Sequence, residues 1–173
     1  MRRVMIDFET FGNGKQSCLA QVGACDFYPD GTIGRTFKKN IDAEDSERNG
    51  GLIDASTVYW WLAQSEEARA SLLPERYSER MTLTELNEFL QGADEIWSHA
   101  TFDFVILIEA LKRHAIKPLF SFKAARDIRT LKALSKADVS KIVRTGTHHD
   151  GLADAIFQSQ YVAAMLREFE VKA

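Results

Sequence analysis

The sequence predicts an α/β fold with a mixed central β-sheet flanked by helices. Three observations carry this. Strand-length apolar runs near the N-terminus are punctuated by turn residues, segments with apolar residues at helical spacing follow, and a further short apolar run sits between two of those helices. The order that results is β-β-β-α-α-β-α-β-α-α, which suits one sheet of mixed direction. The 173 residues, 45% hydrophobic and 27% charged, suffice for one domain with a real core.

Each element has a local reason. Residues 2–8 form a strand around Arg3-Val4-Met5-Ile6. A second strand, Leu19 to Tyr28, ends at the turn Pro29-Asp30-Gly31, and Thr32 to Asn40 returns as its hairpin partner. Asp42 to Gly51 is polar, ends Asn-Gly-Gly and reads as a loop. Asp54-Ala55-Ser56-Thr57 starts a helix that contains Trp60, Trp61 and Leu62. Adjacent helical residues point about 100° apart, so one Trp faces the core and one faces outward.

Thr82, Thr84 and Glu85 open the next helix, with Leu83, Leu86, Phe89 and Leu90 at helical spacing. Glu95 to His99 is a short buried strand, and Phe102 to Arg113 is a helix stopped by Lys117-Pro118. Phe120 to Ile128 reads as a strand, Arg129 to Lys136 as a helix, and Ser140 to His148 fits neither pattern. The last helix runs from about Asp150 to Glu168 with Ala153, Phe157, Tyr161, Ala164 and Met165 on one stripe.

No apolar run approaches the roughly 18 residues of a membrane helix, and Asp7 and Glu9 interrupt any secretory signal at once. Cys18 and Cys25 match no disulfide framework or zinc spacing, so both are expected reduced in the core of a cytoplasmic protein. The net charge of −3 conceals a segregation. Residues 112–144 carry ten Lys/Arg and two acids, whereas residues 1–111 carry ten and nineteen. Such a basic block is either a phosphate footprint or a solvated helix face. His114 is assigned to that basic surface.

Three segments carry chemistry. In Val4-Met5-Ile6-Asp7-Phe8-Glu9-Thr10, strand alternation points Asp7 and Glu9 to one side, about 6–7 Å apart. Two carboxylates on an apolar strand repel each other and resist desolvation, and a divalent cation relieves both. Asp103 follows the strand and turn Trp97-Ser98-His99-Ala100-Thr101-Phe102, and taken alone it is better explained as a helix-start aspartate. In His148-His149-Asp150-Gly151-Leu152-Ala153-Asp154, Asp150 suits an N-cap, Asp154 lies one turn inside, and His149 overhangs the same end. Four acids offer oxygen ligands for Mg²⁺ or Mn²⁺, and a histidine near pKa ~6.5 can take a proton from water.

At these residues the sequence resembles the DnaQ-like, or DEDDh, 3′–5′ exonucleases, which have an RNase H-like fold. The resemblance rests on Asp7-Phe8-Glu9-Thr10, on Ser98 through Asp103, and on His149-x₄-Asp154, in the family's order. Ala20 to Ala24, Thr57 to Trp61, Arg126 to Leu131 and Asp154 to Gln158 are similar to small phage and bacterial exoribonuclease and exonuclease A-type proteins. The resemblance implies one exonuclease domain over residues 1–173 and two metal ions per site. It implies Asp7, Glu9 and Asp154 as ligands of the inner ion, Asp7 also reaching the outer one, and Asp103 acting partly through water. It makes His149 the general base; His148 lacks the x₄ spacing. It also implies Thr10 and Phe11 as grips on the terminal nucleotide, with Phe11 free to stack on a base.

The implied substrate is nucleic acid with a free 3′ end, single-stranded or overhanging, with RNA favoured over DNA. Many relatives dimerise, so a homodimer is an expectation. One departure is Gly151, where many relatives have Ala. The competing functions are a non-catalytic nucleic-acid-binding or partner-docking module that retains the fold, and a nicking endonuclease or transferase.

Overall fold

The structure is a computed structural model and describes residues 1–170. Six strands form one sheet: β1 (Arg3–Thr10), β2 (Leu19–Phe27), β3 (Ile33–Ile41), β4 (Arg76–Tyr77), β5 (Glu95–Ser98) and β6 (Ala125–Asp127). Their spatial order is β4-β3-β2-β1-β5-β6. The β1–β2 and β2–β3 pairs are antiparallel, and the β1–β5, β5–β6 and β3–β4 pairs are parallel. The mixed sheet is therefore as expected, with β1 and β2 at its centre.

Helices cover both faces. Helices α4 (Glu79–Leu90) and α5 (Asp103–Arg113) supply Leu83, Leu86, Leu90, Ile106, Leu107 and Leu111 to a core with Val4, Ile6 and Phe8 of β1. On the other face, α6 (Ile128–Leu134) and α7 (Gly151–Glu170) pack Ile128, Ala155, Val162 and Met165 against Met5, Cys25 and Trp97. Strand alternation assigns Val4, Ile6 and Phe8 to one face and Met5, Asp7 and Glu9 to the other. A third cluster forms where Trp61 of α2 (Ala55–Leu62) meets Ala68 of α3 (Glu66–Ser71), Ala20 and Leu72. Cys18 and Cys25 are free and buried. No helix among the described residues is long and apolar enough to cross a membrane.

Several expectations need correction. Residues 42–51 are not all loop, because Asp42 caps a short helix, α1 (Ala43–Arg48), by accepting from the Asp45 N–H. Helix α4 begins earlier than expected because Ser78, not a threonine, is its cap. The Phe120–Ile128 strand shrinks to three residues, since only Ala125–Asp127 finds partners on β5; Phe122–Ala124 is a 3₁₀ turn. Helix α5 ends at Arg113 as expected, but the chain breaks it with a left-handed turn at Ala115 (φ 54°), ahead of Lys117-Pro118.

His114 does not join the basic surface. It is buried, with Nε2 3.1 Å from Glu79 Oε1. The stripe expected on α7 is also displaced. The buried side runs through Asp154, Ala155, Gln158, Ser159, Val162 and Ala163, whereas Ala153, Phe157, Tyr161 and Ala164 are only half-buried.

Candidate active site

The site lies where β1 outruns β5. The two strands pair only from Arg3 to Met5, so the β1 backbone beyond Met5 has no β5 partner. Asp103, in the first turn of α5, fills the gap. Its Oδ1 accepts from the Phe8 N–H (3.1 Å) and its Oδ2 from the His99 N–H (3.0 Å). One carboxylate thus ties the turn before α5 to β1 and satisfies a strand N–H that would otherwise be orphaned.

Asp7 and Glu9 point to the opposite face of β1 from its core residues and meet α7. Asp7, Glu9 and Asp154 each offer an oxygen within 4.8 Å of the others. All three and Asp103 are buried. Gln158, one turn beyond Asp154, donates from Nε2 to Asp7 Oδ1 (2.7 Å). Gln21 of β2 accepts from the Gly151 N–H (2.6 Å) and fixes the first turn of α7. Asp150 behaves as the expected N-cap, accepting from the Ala153 N–H (3.2 Å) and pairing with Lys38.

The electrostatics are lopsided. Burial, then the charges of Asp103, Glu9 and Asp154, hold the Asp7 carboxyl well above the usual range, against the bond from Gln158. Burial, then Asp154 and Asp103, push Glu9 up to about 8, with Arg144 opposing. Burial pushes Asp103 up to about 7 despite its backbone donors. The cation in direct contact with this cluster is Arg144, paired with Asp154 Oδ1 and lying over the Phe157 ring.

His149 sits immediately before this helix with a left-handed backbone (φ 62°). Its ring packs edge-on to Trp60 (centroids 4.6 Å) and lies 3.9 Å from that of His148. Burial and His148 hold its imidazole below the usual range, with Asp154 pulling the other way. A cleft of about 500 Å³ opens beside Glu9, lined by Thr10, Asn13, Thr57, Trp60 and Phe102 among others. Trp61 is buried and Trp60 is 43% exposed, as expected for neighbours on α2.

Asp7, Glu9, Asp103 and Asp154 thus gather at one rim of the sheet with His149 beside them. Thr10 lines the cleft, its hydroxyl donating to the Gly12 carbonyl (2.6 Å). The Phe11 ring is not free: it lies edge-on to Trp61 in the third core cluster, and Phe102 and Trp60 take the cleft wall instead. Gln158, Gln21 and Arg144 are site neighbours that pattern reading missed. The i, i+4 spacing of Asp154 and Gln158 was the available signal for one of them. The basic block divides: Arg113, Arg126, Lys141 and Arg144 pair with acids, while Arg129 and Lys132 stay exposed, with Arg129 reaching Thr101 beside Asp103.

Comparison with known proteins agrees with this architecture. Exonuclease I from Methylocaldum szegediense superposes with a TM-score of 0.71 at 17% identity, covering 99% of this chain and 41% of that one. A zinc-bound E. coli exonuclease I in complex with single-stranded DNA gives 0.70 at 13% identity, over 98% and 41% of the two chains. Both share the RNase H-like fold. An exodeoxyribonuclease of Enterobacteria phage T4 is 26% identical over 124 residues, 62% of this chain and 55% of the phage protein. The chain therefore spans about half the length of its curated relative. Residues 2–166 match the model of the 3′–5′ exoribonuclease Rv2179c-like domain, and the chain belongs to that family.

Proposed function

We propose that this chain is a metal-dependent 3′–5′ exonuclease domain, residues 1–173, releasing 5′-mononucleotides from nucleic acid with a free 3′ end. The observation that carries the reading is the imbalance at the end of β1: four buried carboxylates against one contacting guanidinium. Like charges do not stay buried without compensation. The donors are hard oxygens, the chemistry of Mg²⁺ or Mn²⁺, and three of them already stand within 4.8 Å of one another.

We assign Asp7, Glu9 and Asp154 to one ion, Asp7 also to a second, with Asp103 acting partly through water. When bound, a pair of such ions supplies Lewis-acid stabilisation of charge on the phosphate. The chain's own groups do the remaining work. His149 Nδ1 or Nε2, its imidazole kept neutral by burial, takes the proton of the attacking water. Trp60 and Phe102 offer faces for the terminal base, and Thr10 lies against the same cleft. Arg129, which reaches Thr101, and Lys132, exposed on the same helix, suit the phosphates of the upstream strand.

The family description favours RNA, and the phage relative's name adds DNA as a second substrate to assay. The single-stranded DNA in the exonuclease I complex supports an unpaired end. The test is incubation of 3′-ended, 5′-labelled single-stranded RNA and DNA with Mg²⁺ or Mn²⁺, beside a circular single strand. Stepwise shortening of the linear strands with the circle intact is expected. An absence of shortening with both metals, or cutting of the circle, overturns the reading. Light scattering on the same preparation reads the homodimer that the family resemblance implies.

A further inference from the structure

We propose a second cation site, overlapping the carboxylate cluster at Asp154 and built from His148, His149 and Asp154, that takes a borderline divalent ion such as Zn²⁺ and whose occupation inhibits the exonuclease. The inhibition rests on the function proposed above; the binding does not.

The three side chains each offer a ligand atom within 4.8 Å of the others. Two adjacent residues rarely aim their rings at one point, because in extended backbone successive side chains diverge. Here His149 has φ 62°, the left-handed region that L residues seldom adopt. That conformation turns both imidazoles to one side, with centroids 3.9 Å apart. Asp154, one turn into α7, faces them. Arg144 engages Oδ1 of Asp154, and Oδ2 makes no hydrogen bond among the described residues.

Tetrahedral Zn²⁺ with bonds of about 2.0–2.1 Å holds its ligand atoms about 3.4 Å apart. The three ligand atoms, all within 4.8 Å of one another, stand near that spacing. Two nitrogens and one oxygen, with a fourth position open, form a ligand set that borderline ions accept and Mg²⁺ does not favour. The carboxylate trio of Asp7, Glu9 and Asp154 has the opposite preference. The two sites share Asp154, so the ligand that separates them is His148. A cation held there occupies the imidazole nitrogen with which His149 would take up a proton.

The experiment compares the wild-type chain with His148→Ala. The His148 side chain is exposed, so the variant should melt like the parent. Zn²⁺ is titrated calorimetrically into each protein in saturating Mg²⁺, and Zn²⁺ inhibition of Mg²⁺-supported hydrolysis is measured alongside. The proposal expects Zn²⁺ affinity to fall about tenfold or more in His148→Ala. It expects the half-inhibitory Zn²⁺ concentration to rise in parallel, each protein's inhibition being referred to its own Mg²⁺-supported turnover. Equal Zn²⁺ affinity in the two proteins would assign the ion to the carboxylates and overturn the site. So would a wild-type protein that takes up no Zn²⁺ beside Mg²⁺. If the wild type hydrolyses nothing in Mg²⁺, the exonuclease reading fails, and calorimetry alone still decides the site.

Discussion

Gly23 on β2 and Gly151 at the start of α7 meet backbone to backbone. A methyl group on Gly23 would lie 2.1 Å from the Gly151 carbonyl carbon and from the Leu152 nitrogen. Gly23 is also the cross-strand partner of Asp7. The bare strand surface beside Asp7 is thus what lets α7 come close enough to bring in Asp154. Gly23→Ala should push the helix start off the sheet. Overpacking of this kind costs about 1–3 kcal/mol, or roughly 2–12 °C in Tm for a chain of this length. Activity should fall further than stability, because Asp154 and His149 move with the helix. Gly151→Ala should be milder, since its added methyl would meet the Gly23 nitrogen at 2.9 Å and gains helix propensity. Melting curves and single-turnover rates of both variants check the order; a Gly23→Ala protein as stable and active as the parent would contradict the packing argument.

The acid cluster ties stability to pH and metal. Asp7, Glu9 and Asp103 hold their protons more tightly folded than unfolded, with Glu9 near 8 and Asp103 near 7 against ordinary values of 4.5 and 3.8. For an acid raised on folding, nothing is lost below the unfolded pKa. Stability then declines as pH climbs through the folded one. The metal-free protein should therefore lose Tm from about pH 5 to about pH 8. Mn²⁺ should restore more at the upper end than at the lower. Asp7→Asn keeps an acceptor for the Gln158 amide and removes a buried charge. It should raise the metal-free Tm near pH 8 while lowering turnover by roughly a thousandfold or more. Differential scanning calorimetry across pH, with and without Mn²⁺, reads this directly, and a Tm that climbs with pH in chelator would refute it.

Adjacent tryptophans should fail in different ways. Trp60 borders the cleft with 43% of its surface exposed, whereas Trp61 is buried and donates from Nε1 to the Thr10 carbonyl (2.8 Å). Base stacking on an aromatic is worth about 1–3 kcal/mol. Trp60→Ala should thus raise KM roughly 5- to 150-fold with the melting temperature nearly unchanged. Trp61→Ala should destabilise by about 3–5 kcal/mol and loosen Thr10. Steady-state kinetics and melting of the pair distinguish the two roles; equal effects on KM would deny Trp60 its place against the base.

These contrasts mark what the sequence made legible. Strands β1, β2 and β5 could be read as short apolar runs, β3 as the hairpin return after the Pro29-Asp30-Gly31 turn, and α2 from the Asp54-Ala55-Ser56-Thr57 start, where Asp54 is its cap. Strand alternation sufficed to put Asp7 and Glu9 together. Helices α1 and α3 and strand β4 escaped notice because six mostly polar residues or a two-residue strand have no periodicity. They are held by tertiary contacts, such as the Ser46 hydroxyl accepting from the Leu19 N–H (2.9 Å). The α7 stripe was misjudged because its buried side carries polar residues: Asp154 and Gln158 face the site, and Ser159 lies in the core beside Cys25. Phe11 looked available since nothing local shows that Trp61, fifty residues on, folds back over it.

His114 was misjudged for the same reason, and its partner carries the last prediction. Glu79, at the first turn of α4, is fully buried and joins the end of α5 to it. It accepts from Arg113 Nε at 2.7 Å and contacts His114 Nε2 at 3.1 Å, and the Arg80 guanidinium reaches the His114 carbonyl (2.8 Å). Removing one partner of a buried ion pair leaves the other charge stranded, which costs about 3–5 kcal/mol. Glu79→Ala should accordingly lower Tm by roughly 6–20 °C. Turnover of the surviving folded protein should be unaffected, because the pair packs α4 against α5 and touches none of the site carboxylates. The double variant Glu79→Leu, Arg113→Met should recover much of the loss, since apolar replacement of both partners removes the stranded charge. Urea unfolding of the single and double variants checks both steps, and a single variant as stable as the parent would show that the pair carries no weight in holding the two helices.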